Sequence, residues 1–277
     1  TGFGQTGPYA HRAGYDFLIQ GMGGLMSVTG RGDDQPGAGP MKVGVALTDI
    51  MTGLYASTAI LAALQARHKT GEGQHIDLAL LDVQVAGLAN QGMNYLYSGQ
   101  LPKRMGNAHP NTVPYQDFPT ADGHMILAIG NDGQFAKFCA AAGHAEWAID
   151  ARFATNAARV THRQALIPLI QAVTQTRNTS AWVSLLENLG VPCGPIHTVD
   201  QVYQDPQVQA RGMTFEMQHP TAGPIPVVAS PIRMSETPVA YRHAPPMLGQ
   251  HTHEVLSEVL GMTEDTLNDL KQQGVFG

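Results

Sequence analysis

Hydrophobic and polar positions change their period several times along the chain, and each change marks a different element. Over residues 49–67, Asp49, Gly53, Ala56, Ala59, Ala63 and Ala66 recur three and four residues apart, which is one face of a helix. Small side chains on that face let another backbone come close. A shorter apolar helix is predicted around Tyr15 to Met26, within a first forty residues otherwise rich in glycine and turn formers. Gln74 to Leu81 alternates weakly and is apolar enough for a buried strand, after which Val83 to Tyr97 reads as a helix. Further on, Gly123 to Gly130 reads as a strand, followed by helices near 134–142, 163–174, 179–189 and 198–203. Prolines recur through 216–250 as an extended return, and helices over 252–260 and 263–273 close the chain.

Strands alternating with helices indicate an α/β protein. The polar, turn-rich stretch 98–114 reads as a linker or binding loop, which divides the chain into three parts. We expect residues 1–104 to belong to a large domain, 105–205 to form a small α/β domain, and 206–277 to return to the large one.

Composition narrows the function classes. Charged residues make up 14% of the 277 residues, the formal net charge is -6, and no polybasic tract occurs, so nucleic acid and anionic membranes have no electrostatic footprint here. No uninterrupted apolar run reaches the roughly 18 residues expected of a membrane span. The two cysteines, Cys139 and Cys193, are too few and too far apart for a disulfide framework or a zinc site, which fits a reducing, cytoplasmic compartment. Twelve histidines invite a metal, yet no spacing supports one: in His251-Thr252-His253-Glu254 the two histidines sit at i and i+2 and point apart on a helix. No catalytic metal is expected.

Three short motifs carry little weight. Gly2-Phe3-Gly4-Gln5-Thr6-Gly7 matches a dinucleotide fingerprint in letters but has no strand before it and runs into Pro8, so it reads as a glycine-rich turn. Arg31-Gly32-Asp33 and Asn178-Thr179-Ser180 imply adhesion or glycosylation only on a secretory route, which nothing else indicates.

Asp49 has the most chemical potential. At the first turn of a helix, the positive end of the helix dipole favours a negative charge. One reading is a capping residue that satisfies open backbone donors. The other is a carboxylate nucleophile.

The surrounding motifs separate the two. Gly14-Tyr15-Asp16, the run Gly21 to Gly30, the Asp49 helix and Lys69-Thr70-Gly71-Glu72-Gly73-Gln74-His75-Ile76-Asp77 follow one another in the order and spacing of the class III CoA-transferases, of the formyl-CoA and carnitine CoA-transferase type. The chain also resembles that family at Arg104-Met105-Gly106-Asn107-Ala108-His109-Pro110, at Gly130 to Phe135 and at Pro245 to Thr252, so the likeness runs nearly end to end.

The resemblance implies a Rossmann-like large domain and a smaller α/β domain in an interlocked homodimer, with Asp49 as catalytic nucleophile. It places Tyr15 and Asp16 at the acyl pocket. It also makes the loop with Arg104, Gly106, Asn107 and His109 a cover over the thioester, with substrate contacts, and it offers backbone N–H groups of that loop and of the Asp49 helix start to oxyanions. No permanently bound cofactor is implied. A coenzyme A thioester and a small carboxylic acid are the substrates, with succinyl-CoA a candidate donor. Tyr15 separates this reading from the related α-methylacyl-CoA racemases, which carry histidine there as a proton-transfer group. Because the match is to the family's interior and the first residue is Thr1, a family N-terminal segment with the first strands and part of the CoA site is expected to be absent. A split or truncated non-catalytic subunit is the remaining alternative.

Overall fold

A computed structural model describes residues 1–276. The chain divides into two compact units, Thr1–Ile196 and a second that begins at His197.

The first unit opens with helices α1 (Asp16–Met22), α2 (Leu25–Val28) and the long α3 (Leu47–Thr70), then α4 (Leu80–Gly87) and α5 (Ala89–Ser98). Strands β1 (Tyr115–Pro119) and β2 (His124–Ala128) follow, then α6 (Asp132–Ala141), a 3-10 turn over Ala145–Ala148, α7 (Asn156–Thr161), α8 (Arg163–Thr174), α9 (Thr179–Glu187) and β3 (Cys193–Pro195). The three strands form one antiparallel sheet in the order β1-β2-β3, with Phe118 opposite Met125 and Leu127 opposite Cys193.

Alternation along β2 explains the core. Met125 and Leu127 point inward and are fully buried, where they join Phe118, Phe135, Phe138, Phe153, Leu166, Ile170, Trp182 and Leu186. Each fully buried side chain of this size contributes about 1.5–3 kcal/mol. Arg159 sits in the same core with no exposed surface. Its guanidinium donates to Val113 O (2.6 Å), Phe153 O (2.9 Å) and Asp132 Oδ1 (2.8 Å) and lies 4.4 Å from the Phe135 ring centroid. It ties α7 to α6 and to the loop before β1.

The second unit holds α10 (Val199–Gln204), α11 (Pro206–Ala210), the hairpin β4 (Thr214–His219) with β5 (Gly223–Val228), α12 (Thr252–Glu258) and α13 (Glu264–Gln272). The proline-rich return thus contains a hairpin that its prolines concealed. Residues at alternate positions of both strands are half-buried, and Pro224 and Pro226 lie on β5, which pairs on one side only.

The class is mixed α/β, as the alternation predicts. The strand expected over Gln74 to Leu81 is a correction, however: 72–79 belongs to no helix or ladder, and α4 begins at Leu80. The segment's neighbour is the chain start, through Thr1 N to Leu78 O (3.0 Å), Leu80 N to Thr1 O (2.9 Å) and Gln5 N to Asp77 Oδ2 (3.2 Å). A strand exists only through ladder partners, and these few bonds do not extend into one. The helix expected over 83–97 is two helices, because Ala89 adopts a positive φ of 47.

α3 has little buried surface. Among its 24 residues only Thr48 is buried, and the helix is long and apolar enough to cross a membrane by length and composition. Uninterrupted apolar runs miss this because threonine, serine and glycine punctuate it.

Two outcomes follow from this packing. Replacing Arg159 with leucine leaves Val113 O and Phe153 O without their donor and should lower stability by about 2–4 kcal/mol, read as a lower denaturant midpoint at unchanged slope. Burial pushes the Cys139 thiol up to about 12, and burial also raises that of Cys193. A thiolate-selective reagent at pH 8 should therefore label Cys139 only after denaturation; rapid labelling of the native protein at Cys139 would contradict the packing.

Candidate active site

α3 begins without a cap of its own. Its N-cap residue is Ala46, whose methyl group cannot accept a hydrogen bond, so the N–H groups of the first turn need outside partners. Asp16 supplies them from 32 residues upstream. Its Oδ1 accepts from Thr48 N at 2.8 Å and, more weakly, from Asp49 N at 3.4 Å. Leu47 N turns to Val45 O, and Ile50 N to Ala46 O.

The capping carboxylate is itself fixed. Asp16 is 9% exposed and its Oδ2 accepts from Gln20 Nε2 at 2.7 Å, one helical turn along α1. Gln20 is fully buried, and its Oε1 accepts from Val43 N at 2.9 Å. Thr48 Oγ1 donates to Gln84 Oε1 of α4 at 2.7 Å, both residues being fully buried. Gln84 Nε2 is buried without a partner among the described residues. α1, α3 and α4 are therefore joined by one polar cluster beneath the first turn of α3.

Close backbone contact sets α1 in place. A Cβ added to Gly2 would lie 2.7 Å from Gly14 Cα, so the glycine-rich chain start crosses directly before Tyr15 and Asp16. A Cβ on Gly23 would lie 2.4 Å from Gln84 Cγ, which brings the end of α1 against α4.

Asp49 lies in the first turn of α3, exposed. Its carboxylate makes no hydrogen bond or ion pair among the described residues. Tyr15, the N-cap residue of α1, is 80% exposed. The N–H groups of Leu47, Thr48, Asp49 and Ile50, which the resemblance offered to an oxyanion, are instead engaged by Asp16 and by neighbouring carbonyls.

The loop residues gather elsewhere in this unit. Gly106 N donates to Gly30 O at 2.9 Å, Asn107 Nδ2 to Asp117 Oδ1 at 3.0 Å, and Arg104 pairs with Asp33. Arg104 Nε is buried and unpaired among the described residues. His109 Nδ1 accepts from Asn111 N (3.1 Å), its ring meets Tyr115 at 5.4 Å, and Arg163 donates to the His109 and Pro110 carbonyls at 3.2 and 2.7 Å. Burial moves Arg163 below its ordinary range.

Between this loop and the Gly30 turn lies a cleft of about 510 Å³, whose lining includes Arg31, Lys42, Gln35, Gly106, Asn107 and Gln116. Gly30 is required for its floor, since a Cβ there would sit 2.4 Å from Gly39 O and φ is 126. Arg31 and Lys42 bring two cations to this lining and Asp117, bonded by Asn107, brings one carboxylate. Asp49 does not line this cleft. The structure thus brings Tyr15, Asp16 and Asp49 together and Arg104, Gly106, Asn107 and His109 together, as two groups.

Sequence reasoning missed Gln20, Thr48 and Gln84, the buried polar partners. The signal for Gln20 is its place four residues after Asp16 in an otherwise apolar helix; Thr48 and Gln84 meet only in space. Among the described residues, no group of three or more histidines, cysteines or acids converges as a metal would require.

Comparisons with known proteins give the family of the chain. The profile of CoA-transferase family III matches residues 1–252. The chain is 52% identical to a succinate–glutarate CoA-transferase of Agrobacterium fabrum, over 94% of this chain and 64% of that protein, and 42% identical to the human succinyl-CoA:glutarate CoA-transferase, over 99% and 62%. It thus spans less than two thirds of the length of these relatives. A crystal structure of a CaiB/BaiF family protein from Brucella suis superposes with a TM-score of 0.76 at 50% identity, covering 94% of this chain and 66% of that one. With its end-to-end motifs, its helix-start aspartate and this match, the chain belongs to CoA-transferase family III.

Proposed function

We propose that the protein transfers CoA from a dicarboxylic acyl-CoA, succinyl-CoA in the first instance, to a second carboxylic acid, with Asp49 as nucleophile. The observation that carries this reading is the Asp49 carboxylate, exposed and unbonded at the capped start of α3 in a chain of this family. The relatives named for succinyl-CoA and glutarate support the substrate class.

In this mechanism an Asp49 oxygen adds to the donor thioester carbonyl. Collapse breaks the C–S bond and leaves a mixed anhydride and free CoA thiolate. The thiolate then adds to the Asp49 carboxyl carbon, and the donor acid departs as its carboxylate, which leaves an aspartyl-CoA thioester. The acceptor carboxylate attacks that carbonyl and expels the thiolate again; the thiolate attacks the acceptor carbonyl of the second anhydride and regenerates Asp49. Every nucleophile and leaving group is an anion, so no step needs a proton. That suits an aspartate with no general base bonded to it.

Each intermediate is activated toward water, so the site must be covered. We assign this to the loop with Arg104, Gly106, Asn107 and His109, tied to the Gly30 turn. Its Asn107 N–H, which has no backbone acceptor among the described residues, is the loop donor we assign to an oxyanion. Tyr15, beside the cap, contacts the acyl group, and Asp16 acts through the helix rather than on substrate. Arg31 and Lys42 offer charge for the distal carboxylate of a dicarboxylic acyl chain.

The same reading assigns a homodimer. Ile50, Leu54, Tyr55, Ile60 and Leu61 of α3 are each more than half exposed, and protein rather than lipid is the cover we assign to them. The free thiols Cys139 and Cys193 fit a cytoplasmic setting.

Asp49→Ala should reduce transfer by a factor of about 10³ or more while the fold remains, since the cap acts on backbone N–H groups. Hydroxylamine added after acyl-CoA should mark Asp49 alone. A label elsewhere, or exchange of an α-proton of a 2-methylacyl-CoA in deuterated water without an acceptor acid, would overturn the assignment in favour of another chemistry. For the loop, Asn107→Ala and His109→Ala should raise acyl-CoA hydrolysis per transfer event; an unchanged ratio in both would make the loop a plain linker.

A further inference from the structure

An acidic side chain in the first turn of a helix can fold back over the open N–H groups of that turn. Asp49 does not. Thr48 N and Asp49 N are directed to Asp16, Leu47 N and Ile50 N to carbonyls, and the Asp49 carboxylate accepts nothing among the described residues.

From this arrangement, the geometry points to Asp16 as a positioning residue that takes the Thr48 and Asp49 N–H groups in place of Asp49 and so keeps the nucleophile's oxygens off those donors of its own helix. A carboxylate oxygen engaged by two N–H groups has less electron density to offer a thioester carbonyl, and those bonds would have to break before attack. By occupying the donors from α1, Asp16 removes that barrier. The reading rests on Asp49 being the nucleophile.

The cluster is built to keep Asp16 in this role. Gln20 cannot turn its carboxamide over, because Oε1 accepts from Val43 N (2.9 Å) while Nε2 donates to Asp16 Oδ2 (2.7 Å) and reaches Val45 O (3.4 Å). Swapping the two ends would oppose donor to donor at Val43 and acceptor to acceptor at Asp16. Thr48, whose N–H is the better of the two bonds to Asp16, is locked through its hydroxyl to Gln84. The buried polar atoms thus specify one arrangement, in which the capping carboxylate faces inward and the reactive one outward.

The test compares the wild-type protein with Asp16→Ser, with Asp16→Ser/Asp49→Ala, and with Asp16→Asn/Gln20→Glu. It measures kcat, KM, hydroxylamine trapping at Asp49 and hydrogen exchange of the Thr48 and Asp49 amides. In Asp16→Ser, Asp49 should turn back onto its own helix. The kcat and the trapping rate then fall about tenfold or more with KM within about twofold, while the two amides stay protected. Adding Asp49→Ala should expose those amides, because the substitute cap is gone. Asp16→Asn/Gln20→Glu keeps an oxygen toward Thr48 N and returns a carboxylate to the amide pair, so kcat should recover to within about threefold.

An unchanged kcat in Asp16→Ser would overturn the proposal. So would loss of kcat together with amide protection and thermal stability, unrestored in the double variant, since that marks Asp16 as structural alone. If Asp49→Ala retains transfer, the nucleophile reading fails, and the exchange comparison between Asp16→Ser and Asp16→Ser/Asp49→Ala still decides whether the two carboxylates compete.

Discussion

The direction of the first turn of α3, and with it the placement of Asp49, depends on one hydrogen-bonded junction, the carboxylate of Asp16 against the uncapped start of that helix. Ala46 leaves that helix end without a side-chain acceptor, and a cap of this kind is worth about 1 kcal/mol. Its importance lies in direction more than in magnitude. Burial of leucine or phenylalanine contributes more free energy but does not say which way a helix end must face; a carboxylate 2.8 Å from Thr48 N does. Gly2 against Gly14 and Gly23 against Gln84 bring α1 close enough for that bond, and Gln20 holds the acceptor's orientation.

Local signals were legible where the local pattern alone decides the structure. The helix expected over 49–67, which the structure extends to Leu47–Thr70, the bounds of α8 and the β2 strand follow from period and propensity, because their interior backbone bonds close within the element or against an adjacent hairpin partner. Gln74 to Leu81 was misread for the opposite reason: its hydrophobicity suits a strand, but a strand is defined by neighbours that the pattern does not contain. The break at Ala89 and the hairpin hidden by Pro224 and Pro226 belong to the same kind. At the candidate site, Asp49 was found from its place on a helix and from motif order. The bond that caps its helix could not be, because the acceptor lies on another helix, and neither Thr48 nor Gln84 has any sequence mark of the bond between them.

Stability and chemistry are separated within the first unit. The fully buried aromatic and aliphatic residues from Phe118 to Leu186, with Arg159 bridging Val113, Phe153 and Asp132, make a closed core. The helices before residue 104 hold Asp49 on few buried apolar groups, chiefly Phe3, Ile19, Ala79 and Val83, with polar contacts among Asp16, Gln20, Thr48 and Gln84. A region held mainly by directional polar bonds fixes geometry well but adds little free energy.

The span between Asp16 and Thr48 has a consequence for biogenesis. The bond closes a loop of 32 residues, so the ordering entropy of that loop must be met before the cap exists, whereas an internally capped helix could form by itself. α3 can be helical in a nascent chain without its first turn being set. The first turn is set only when α1 has docked and brings Asp16 within reach of Thr48 N, so the helix that carries Asp49 gains its final end late, through a tertiary contact.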